Sequence, residues 1–314
     1  MIPMDLSVLF SNLVGLFLLI GVGFFAVRAR ILPAETSKPL STLLMKITLP
    51  ATVIYSMLRP FDPSFLKLGV SILLVGTVVF PLFSLLSLGL SRLLRVPDGR
   101  RGMWCCCSTF CNNGFMGFPV ALALFGEEGL TLTVIMSIPF NLLIYSVGAK
   151  MVCMDLPKDG SARPISWGRA VFSLINLAMV IGLFLYFTQI QLPQAILGPL
   201  GYLSDATTPL SMIITGMNLS QGTMGDMLRD RDAFTAAGTR LLLFPALAWG
   251  LMRLVPGLDG LVIGAALINL SMPAPAAATL LGEEYGGNTR LAARTVFLSS
   301  LLCIATIPLV SLLL

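Results

Sequence analysis

The chain has 314 residues, of which 56% are hydrophobic and 11% are charged, and its mean hydropathy is +0.91. Soluble domains carry roughly 25% charged residues, so the composition excludes that class and predicts an all-α polytopic membrane protein within a lipid bilayer. The net charge of +5 is dispersed over connecting segments and forms no basic patch interleaved with aromatic residues, so we expect no nucleic-acid partner.

Apolar runs separated by charged residues, proline and glycine predict ten transmembrane helices. Each crossing of a bilayer core needs about 20 apolar residues, and a chain of this length accommodates about ten crossings with short loops. The first run follows Asp5 and precedes Arg28 and Arg30, which reverses the charge order of a signal peptide, so we expect a retained helix. The predicted helices cover 6–27, 38–58, 65–93, 102–125, 130–154, 167–188, 195–220, 233–254, 260–282 and 290–313.

Lysine and arginine are concentrated in the connections that follow predicted helices 1, 3, 5, 7 and 9. Cytoplasmic loops are enriched in these residues, so we expect these connections in the cytoplasm, both chain ends outside it, and a multi-pass protein of the cell membrane. The polar segment 155–166 predicts a cytoplasmic linker between two halves, 1–154 and 167–314.

The two halves repeat one unusual motif. The segment "NNGFMGFPVALALFGEE", whose second residue is Asn113, aligns without gaps with "NLSMPAPAAATLLGEE", which begins at Asn269, and Pro119 then falls on Pro275. Shorter matches relate predicted helices 2 and 3 to helices 7 and 8. Each repeat therefore contains five helices, and the odd number places the two copies in opposite orientations. Such an inverted repeat is typical of secondary transporters.

Both copies of the motif place helix-breaking residues near the centre of a predicted helix, among them Gly117 and Pro119 in helix 4 and Pro273 in helix 9. Backbone groups freed inside hydrocarbon cost several kcal/mol unless protein or water satisfies them, and neighbouring asparagines offer such partners. We therefore predict that broken helices 4 and 9 cross at the membrane midplane and form a polar substrate site. Its predicted residues are Asn112, Asn113, Gly117, Pro119, Asn269, Pro273, Pro275, Asn141, Tyr145, Thr48 and Lys46.

Several charged residues within the predicted helices allow two interpretations. Lys46 attracts an anionic substrate or extends its side chain to the interface, and Asp205 carries a proton or cation or is structural. We expect Arg240 to reach the cytoplasmic boundary. The predicted ligands of a coupling ion, H⁺ or Na⁺, are Asp205, Thr208, Asn218 and Ser271.

The segments "NNGFMGFP" and "MPAPAAATLLGEEYGGN" resemble the two crossover motifs of the auxin efflux carrier family, and the resemblance covers the whole chain. It implies a fold like that of bile-acid/sodium symporters, with helices 1, 2, 6 and 7 as a scaffold and helices 3–5 and 8–10 as a moving transport domain. It also implies homodimers and an elevator-like motion. Members of the family include carriers for malonate and other small organic acids.

The predicted function is secondary or facilitative transport of a small organic anion, such as a carboxylate or an auxin-like acid, by alternating access. An enzyme is not expected, since a chain without histidine excludes histidine-based hydrolysis and histidine-ligated zinc proteolysis. The six cysteines form no CxxC pair, so we expect no metal and no cofactor. An ion channel or a lipid- or sterol-sensing module on the same fold is the alternative.

Overall fold

A computed structural model describes residues 6–156, 173–220 and 230–313, and within these ranges every regular element is helical. The α-helices are α1 (Leu6–Arg28), α2 (Ser37–Leu43), α3 (Leu49–Ser56), α4 (Pro63–Leu93), α5 (Arg101–Thr109), α6 (Phe118–Leu143), α7 (Ala149–Cys153), α8 (Leu174–Thr188), α9 (Gln194–Ser220), α10 (Arg231–Gly238), α11 (Phe244–Arg253), α12 (Gly260–Leu270), α13 (Ala277–Tyr285) and α14 (Thr289–Ser311). The prediction of an all-helical chain is confirmed for these ranges. Most of the predicted linker and the first residues of predicted helix 6 lie outside them.

Predicted helices 2 and 8 each consist of two α-helices joined by a wider π turn. Leu44–Thr48 joins α2 to α3, and Thr239–Leu243 joins α10 to α11. In both cases a proline, Pro50 or Pro245, follows two residues after the turn. A proline ring clashes with the carbonyl of the preceding helical turn, and the wider turn moves that carbonyl away.

Predicted helices 4 and 5 are separated by a sharp reversal at Gly126, whose φ of 65° and ψ of −159° are not helical. A Cβ atom built on Gly129 would lie 3.1 Å from the carbonyl of Ala121. Eight residues of straight helix rise about 12 Å, so the two arms of α6 fold against each other at this point.

The connections between helices gather at two ends of the molecule. At one end Arg59, after α3, pairs with Glu128 at 3.0 Å and accepts a hydrogen bond on its carbonyl from the Gln189 amide at 3.2 Å. At the other end Asp230, before α10, pairs with Arg100 at 2.5 Å and with Arg294 at 2.6 Å. The basic end defined by these three residues belongs to the connections predicted to be cytoplasmic.

The two acidic residues at the basic end bind backbone and arginine donors. Burial acts to raise the pKa of Asp230, but hydrogen bonds from Arg294 and the Ala233 N–H and the charge of Arg100 outweigh it and lower that pKa. For Asp155 burial prevails and raises the pKa, although its carboxylate accepts the N–H groups at the start of α5 at 2.8 and 3.0 Å.

Five helical stretches of the described chain are long and apolar enough to cross a membrane. They are Ser11–Arg28, Pro63–Leu93, Arg101–Cys153, Arg231–Arg253 and Thr289–Ser311, and α8 and α12 are shorter apolar helices. The 53-residue stretch contains the reversal at Gly126, so it comprises two arms. The chain is thus a multi-pass membrane protein, and the count of ten crossings stays a prediction.

Helices α1 and α9 approach each other closely enough for their backbones to touch. A Cβ atom at Gly23 would collide with the carbonyl of Ile213, and one at Gly216 would collide with the carbonyl of Ile20. Small residues permit such close packing between membrane helices. Thr52 in α3 donates a hydrogen bond to Thr207 in α9 at 2.8 Å, which joins α3 to the same group.

Candidate functional site

Two interruptions of the helical backbone lie in contact. The first break, residues 110–112, follows α5, and the helix resumes in the π turn Asn113–Gly117 that precedes α6. The second break, residues 271–276, separates α12 from α13. The backbone N–H of Asn112 donates to the carbonyl of Pro273 at 2.7 Å. Because each break supplies a partner to the other, the two interrupted segments are joined through their backbones.

Asn113 and Asn269, which the sequence repeat aligns, are both buried beside Gly117. A Cβ atom on Gly117 would lie 3.1 Å from Oδ1 of Asn269 and 3.3 Å from Oδ1 of Asn113. In the described chain, Oδ1 of Asn113 and Nδ2 of Asn269 have no hydrogen-bond partner. A buried polar atom without a partner costs about 1–3 kcal/mol, so these amides favour a polar ligand or water at the crossing.

A first cavity of about 80 Å³ adjoins the crossing. The residues predicted for the substrate site that line it are Asn112, Asn113, Asn141, Tyr145 and Pro275. The Asn141 amide donates to Oδ1 of Asn176 at 3.1 Å, which holds its side chain against α8. The remaining wall is mainly apolar, so the described lining combines three amides with a hydrophobic surface.

A second cavity of about 350 Å³ shares the walls formed by Asn112, Phe115 and Ala276 with the first. Its polar lining includes Asn218, predicted as an ion ligand, together with Thr215, Thr279 and Ser300. Ala293, which directly precedes Arg294 of the basic end, also lines it. The second cavity therefore extends from the crossing toward the basic end, and the described residues lining either cavity are uncharged.

Four further predicted residues build the crossing without lining a cavity. Pro273 accepts the hydrogen bond of the first break, Gly117 lies between the two amides, and Asn269 accepts a hydrogen bond from the Cys111 thiol at 3.5 Å. Pro119 begins α6 immediately after the π turn. These residues shape the backbone and position the amides.

Other predicted residues lie away from both cavities. Lys46 is exposed, whereas its neighbours Met45 and Leu49 line the first cavity. The Thr48 hydroxyl donates to the carbonyl of Leu44 at 3.4 Å. Asp205 is exposed and lines neither cavity.

The remaining two predicted ion ligands also make local contacts. The Ser271 hydroxyl donates to the carbonyl of Leu267 at 2.7 Å, one turn earlier in the chain. The Thr208 carbonyl accepts a hydrogen bond from Ser211 at 2.9 Å. Neither residue lines a cavity, so among the predicted ion ligands only Asn218 does so.

Arg240 corrects a sequence-based expectation. Its side chain is fully buried and does not reach the boundary. Nη1 donates to the carbonyl of Thr109 at 2.7 Å, and Nη2 donates to that of Leu270. The expectation was wrong because the broken helices present free carbonyls deep inside the protein, which hold the guanidinium there. The available signal was an arginine within the apolar run "TRLLLFPALAW".

Sequence comparison agrees with the character of this site. The model of a family described as membrane transport protein matches residues 8–159 and 161–311. An uncharacterized transporter of Methanocaldococcus jannaschii is 30% identical, and the alignment covers 97% of each chain. One of Methanothermobacter thermautotrophicus is 26% identical over 95% of this chain and 96% of its own length. A candidate malonate transporter of Rhizobium meliloti is 23% identical over 93% of this chain and 91% of its own.

Proposed function

The chain belongs to the membrane transport protein family, that of the auxin efflux carriers, and on this premise we propose that it is a secondary carrier of a small organic anion. Family membership supports a membrane transporter rather than an enzyme. The observation that carries the finer proposal is the contact between the two breaks, beside which lie two cavities that share lining residues. Alternating access needs a binding site that either side reaches in turn, and residues shared by two cavities are suited to such a site.

The polarity of the crossing favours an anion. Asn112 and Ala276 cap the N-terminal ends of the helical segments that follow the breaks, and both residues line the two cavities. N-terminal ends of helices carry a partial positive charge and free N–H groups, which attract negative ligands. The unpaired amide atoms of Asn113 and Asn269 add a donor and an acceptor at the same place.

The size and lining of the first cavity favour a short carboxylate. About 80 Å³ bounded by amides and apolar side chains suits a compact acid with little hydrocarbon. The candidate malonate transporter among the relatives makes dicarboxylates the first compounds to test. Indole acids, as auxin-like compounds, come second.

We further propose that the protein is a homodimer whose scaffold consists of α1–α3, α8 and α9. In this proposal α4–α7 and α10–α14 form a transport domain that moves against the scaffold between an inward-open and an outward-open state. The polar contacts that cross this division include Asn12 with the Ala123 carbonyl at 2.6 Å, Asn141 with Asn176, Arg59 with Glu128, and the Thr131 hydroxyl with the carbonyl of Ser56 at 2.9 Å. An elevator-like displacement must break them. We propose that the basic end lies in the cytoplasm, as its arginines predict, so that the second cavity is an inward-open path.

Transport by the purified protein in liposomes tests the proposal. Radiolabelled malonate and indole acetate are offered outside, with and without the same unlabelled acid inside. We expect saturable uptake of at least one acid and stimulation by internal acid, because a carrier exchanges substrate across its two states. Uptake that is unsaturable and insensitive to internal acid would indicate a channel instead.

The two central asparagines supply the site-specific test. Asn113→Ala and Asn269→Ala are each expected to lower uptake about tenfold, the effect of losing one hydrogen bond of about 1.4 kcal/mol. Gln194→Ala is the matched control, since Gln194 carries an exposed amide at the start of α9 and lines neither cavity. Wild-type rates in both variants at normal expression would remove the crossing from the mechanism.

A further inference from the structure

Arg240 lies where three backbone carbonyls have lost their helical partners. In a continuous helix, the carbonyls of Ser108 and Thr109 would accept hydrogen bonds from the N–H groups four residues later. The N–H of Asn112 instead donates to Pro273, and the N–H of Asn113 donates to Cys111 at 2.9 Å. The first break therefore leaves both carbonyls at the end of α5 without backbone donors.

The same loss occurs at the end of α12. The carbonyl of Leu270 would accept from the N–H of Ala274, but that N–H donates to the Ser299 hydroxyl at 3.0 Å. Arg240 replaces the missing donors at both helix ends. It contacts Ser108 at 3.4 Å and Thr109 at 2.7 Å through Nη1, and Leu270 through Nη2.

The charge of Arg240 matches that of the helix ends it joins. The C-terminal end of a helix carries roughly half a negative elementary charge, so the converging ends of α5 and α12 together balance about one positive charge. No carboxylate in the described ranges forms an ion pair with Arg240. Its stabilisation therefore comes from carbonyls and helix dipoles, which are also the groups that hold Na⁺ at broken helices of coupled carriers.

We propose that Arg240 is a built-in cation that occupies the site between the C-terminal ends of the two half-helices and makes the protein independent of Na⁺. The guanidinium is covalently attached and fully buried, so it fills the carbonyl cluster in every state of the transport cycle. The carbonyls of this cluster are then occupied by the guanidinium and are not available to a dissociable cation. This inference deepens the proposed carrier function. Its test by transport measurements rests on that function, whereas its test by Na⁺ binding does not.

The binding readout is the melting temperature of the purified protein in Na⁺ compared with choline, at equal pH and ionic strength. We expect equal values for the wild type. Stabilisation of the wild type by several degrees in Na⁺ alone would overturn the proposal. This measurement needs no transported substrate, so it separates failure of the inference from failure of the carrier assignment.

Variants of Arg240 test the capping role itself. Arg240→Met removes the charge and the donors at similar length, and we expect it to melt several degrees lower, because the buried carbonyls of Thr109 and Leu270 lose their donors. Arg240→Lys keeps the charge and is expected to retain a larger part of the stability. Millimolar guanidinium, below denaturing concentrations, should raise the melting temperature of Arg240→Ala but not that of the wild type. A fully stable Arg240→Met, or no rescue by guanidinium, would contradict the role.

The transport readout completes the test where uptake of an acid is established. Wild-type uptake is expected to be the same in Na⁺ and choline. Arg240→Lys should keep this indifference even if its rate falls, because the cation remains in place. Sodium-dependent uptake by the wild type would place a coupling ion in the cycle and refute the inference.

Discussion

Gly117 separates the two asparagines that occupy equivalent positions in the repeat. The space for a side chain at this position is already taken by the amide oxygens of Asn113 and Asn269. Gly114 in the same π turn differs, since a Cβ atom there would meet the flexible end of Leu49 at 3.3 Å. The two glycines therefore offer a comparison within one turn of the chain.

We predict that Gly117→Ala lowers uptake roughly tenfold or more, because moving catalytic or binding groups by a fraction of an ångström weakens positioning strongly. Gly114→Ala should lower the rate less, since its Cβ atom would meet only the end of the Leu49 side chain, at the wall of the first cavity, and a shift of a few tenths of an ångström relieves the contact. Uptake by the two variants in liposomes, normalised to reconstituted protein, measures the difference. Equal rates would show that the position of the amides does not govern transport.

The sequence singles out the two asparagines that lie at the crossing, whereas it gives only a weak signal for the buried position of Arg240. Asn113 and Asn269 stand out because the motif occurs twice and surrounds them with glycine and proline. Arg240 belongs to no repeated motif, and its partners are backbone carbonyls, which leave no trace in the side-chain pattern. A prediction based on side chains alone therefore placed its charge at the cytoplasmic boundary of the membrane, where an isolated arginine is best solvated.

At the scale of helices, a proline follows three of the π turns, whereas the π turn Ile144–Gly148 between α6 and α7 is followed by none in its helix. The π turns before Pro50, Pro119 and Pro245 each end two residues ahead of the proline. Sequence predicted the interruption at Pro119, because glycines and asparagines accompany that proline. It did not predict the continuous but widened turns at the other two, since the choice between a break and a wider turn depends on whether neighbouring groups satisfy the freed backbone.

Close packing between α1 and α9 gives a prediction at this scale. Gly216→Ala is expected to lower stability by about 1–3 kcal/mol, because its Cβ atom would collide with the backbone of Ile20, which cannot rotate away. Gly198→Ala in the same helix is the control, since a Cβ atom there has no neighbour within 4 Å. Melting of the two variants in the same detergent measures the difference. An unchanged melting temperature for Gly216→Ala would show that the helices can separate without loss.

For the whole molecule, the division into scaffold and transport domain remains a proposal that the contacts at one end make testable. Arg59 has neighbours on both sides of that division. Its guanidinium pairs with Glu128 of the proposed transport domain, and its carbonyl accepts a hydrogen bond from Gln189 of the proposed scaffold. This arrangement was not predictable from the sequence, because the three residues come from separate connections and share no motif.

Two cross-links that both involve position 59 test whether the proposed transport domain moves relative to the proposed scaffold. Arg59→Cys is combined with Glu128→Cys or with Gln189→Cys, with half-buried Cys153 replaced by Ser and the other native cysteines buried. A short bifunctional thiol reagent should abolish uptake in the first pair, since it ties the two domains together, and leave the second pair active. The reagent is a bis-methanethiosulfonate, which attaches to each cysteine through a disulfide, so a reducing agent should restore uptake in the first pair. If the Arg59–Glu128 cross-link forms fully and uptake continues, the transport domain does not slide past the scaffold at this end, because a displacement larger than the reagent's reach would be impossible with the bond in place.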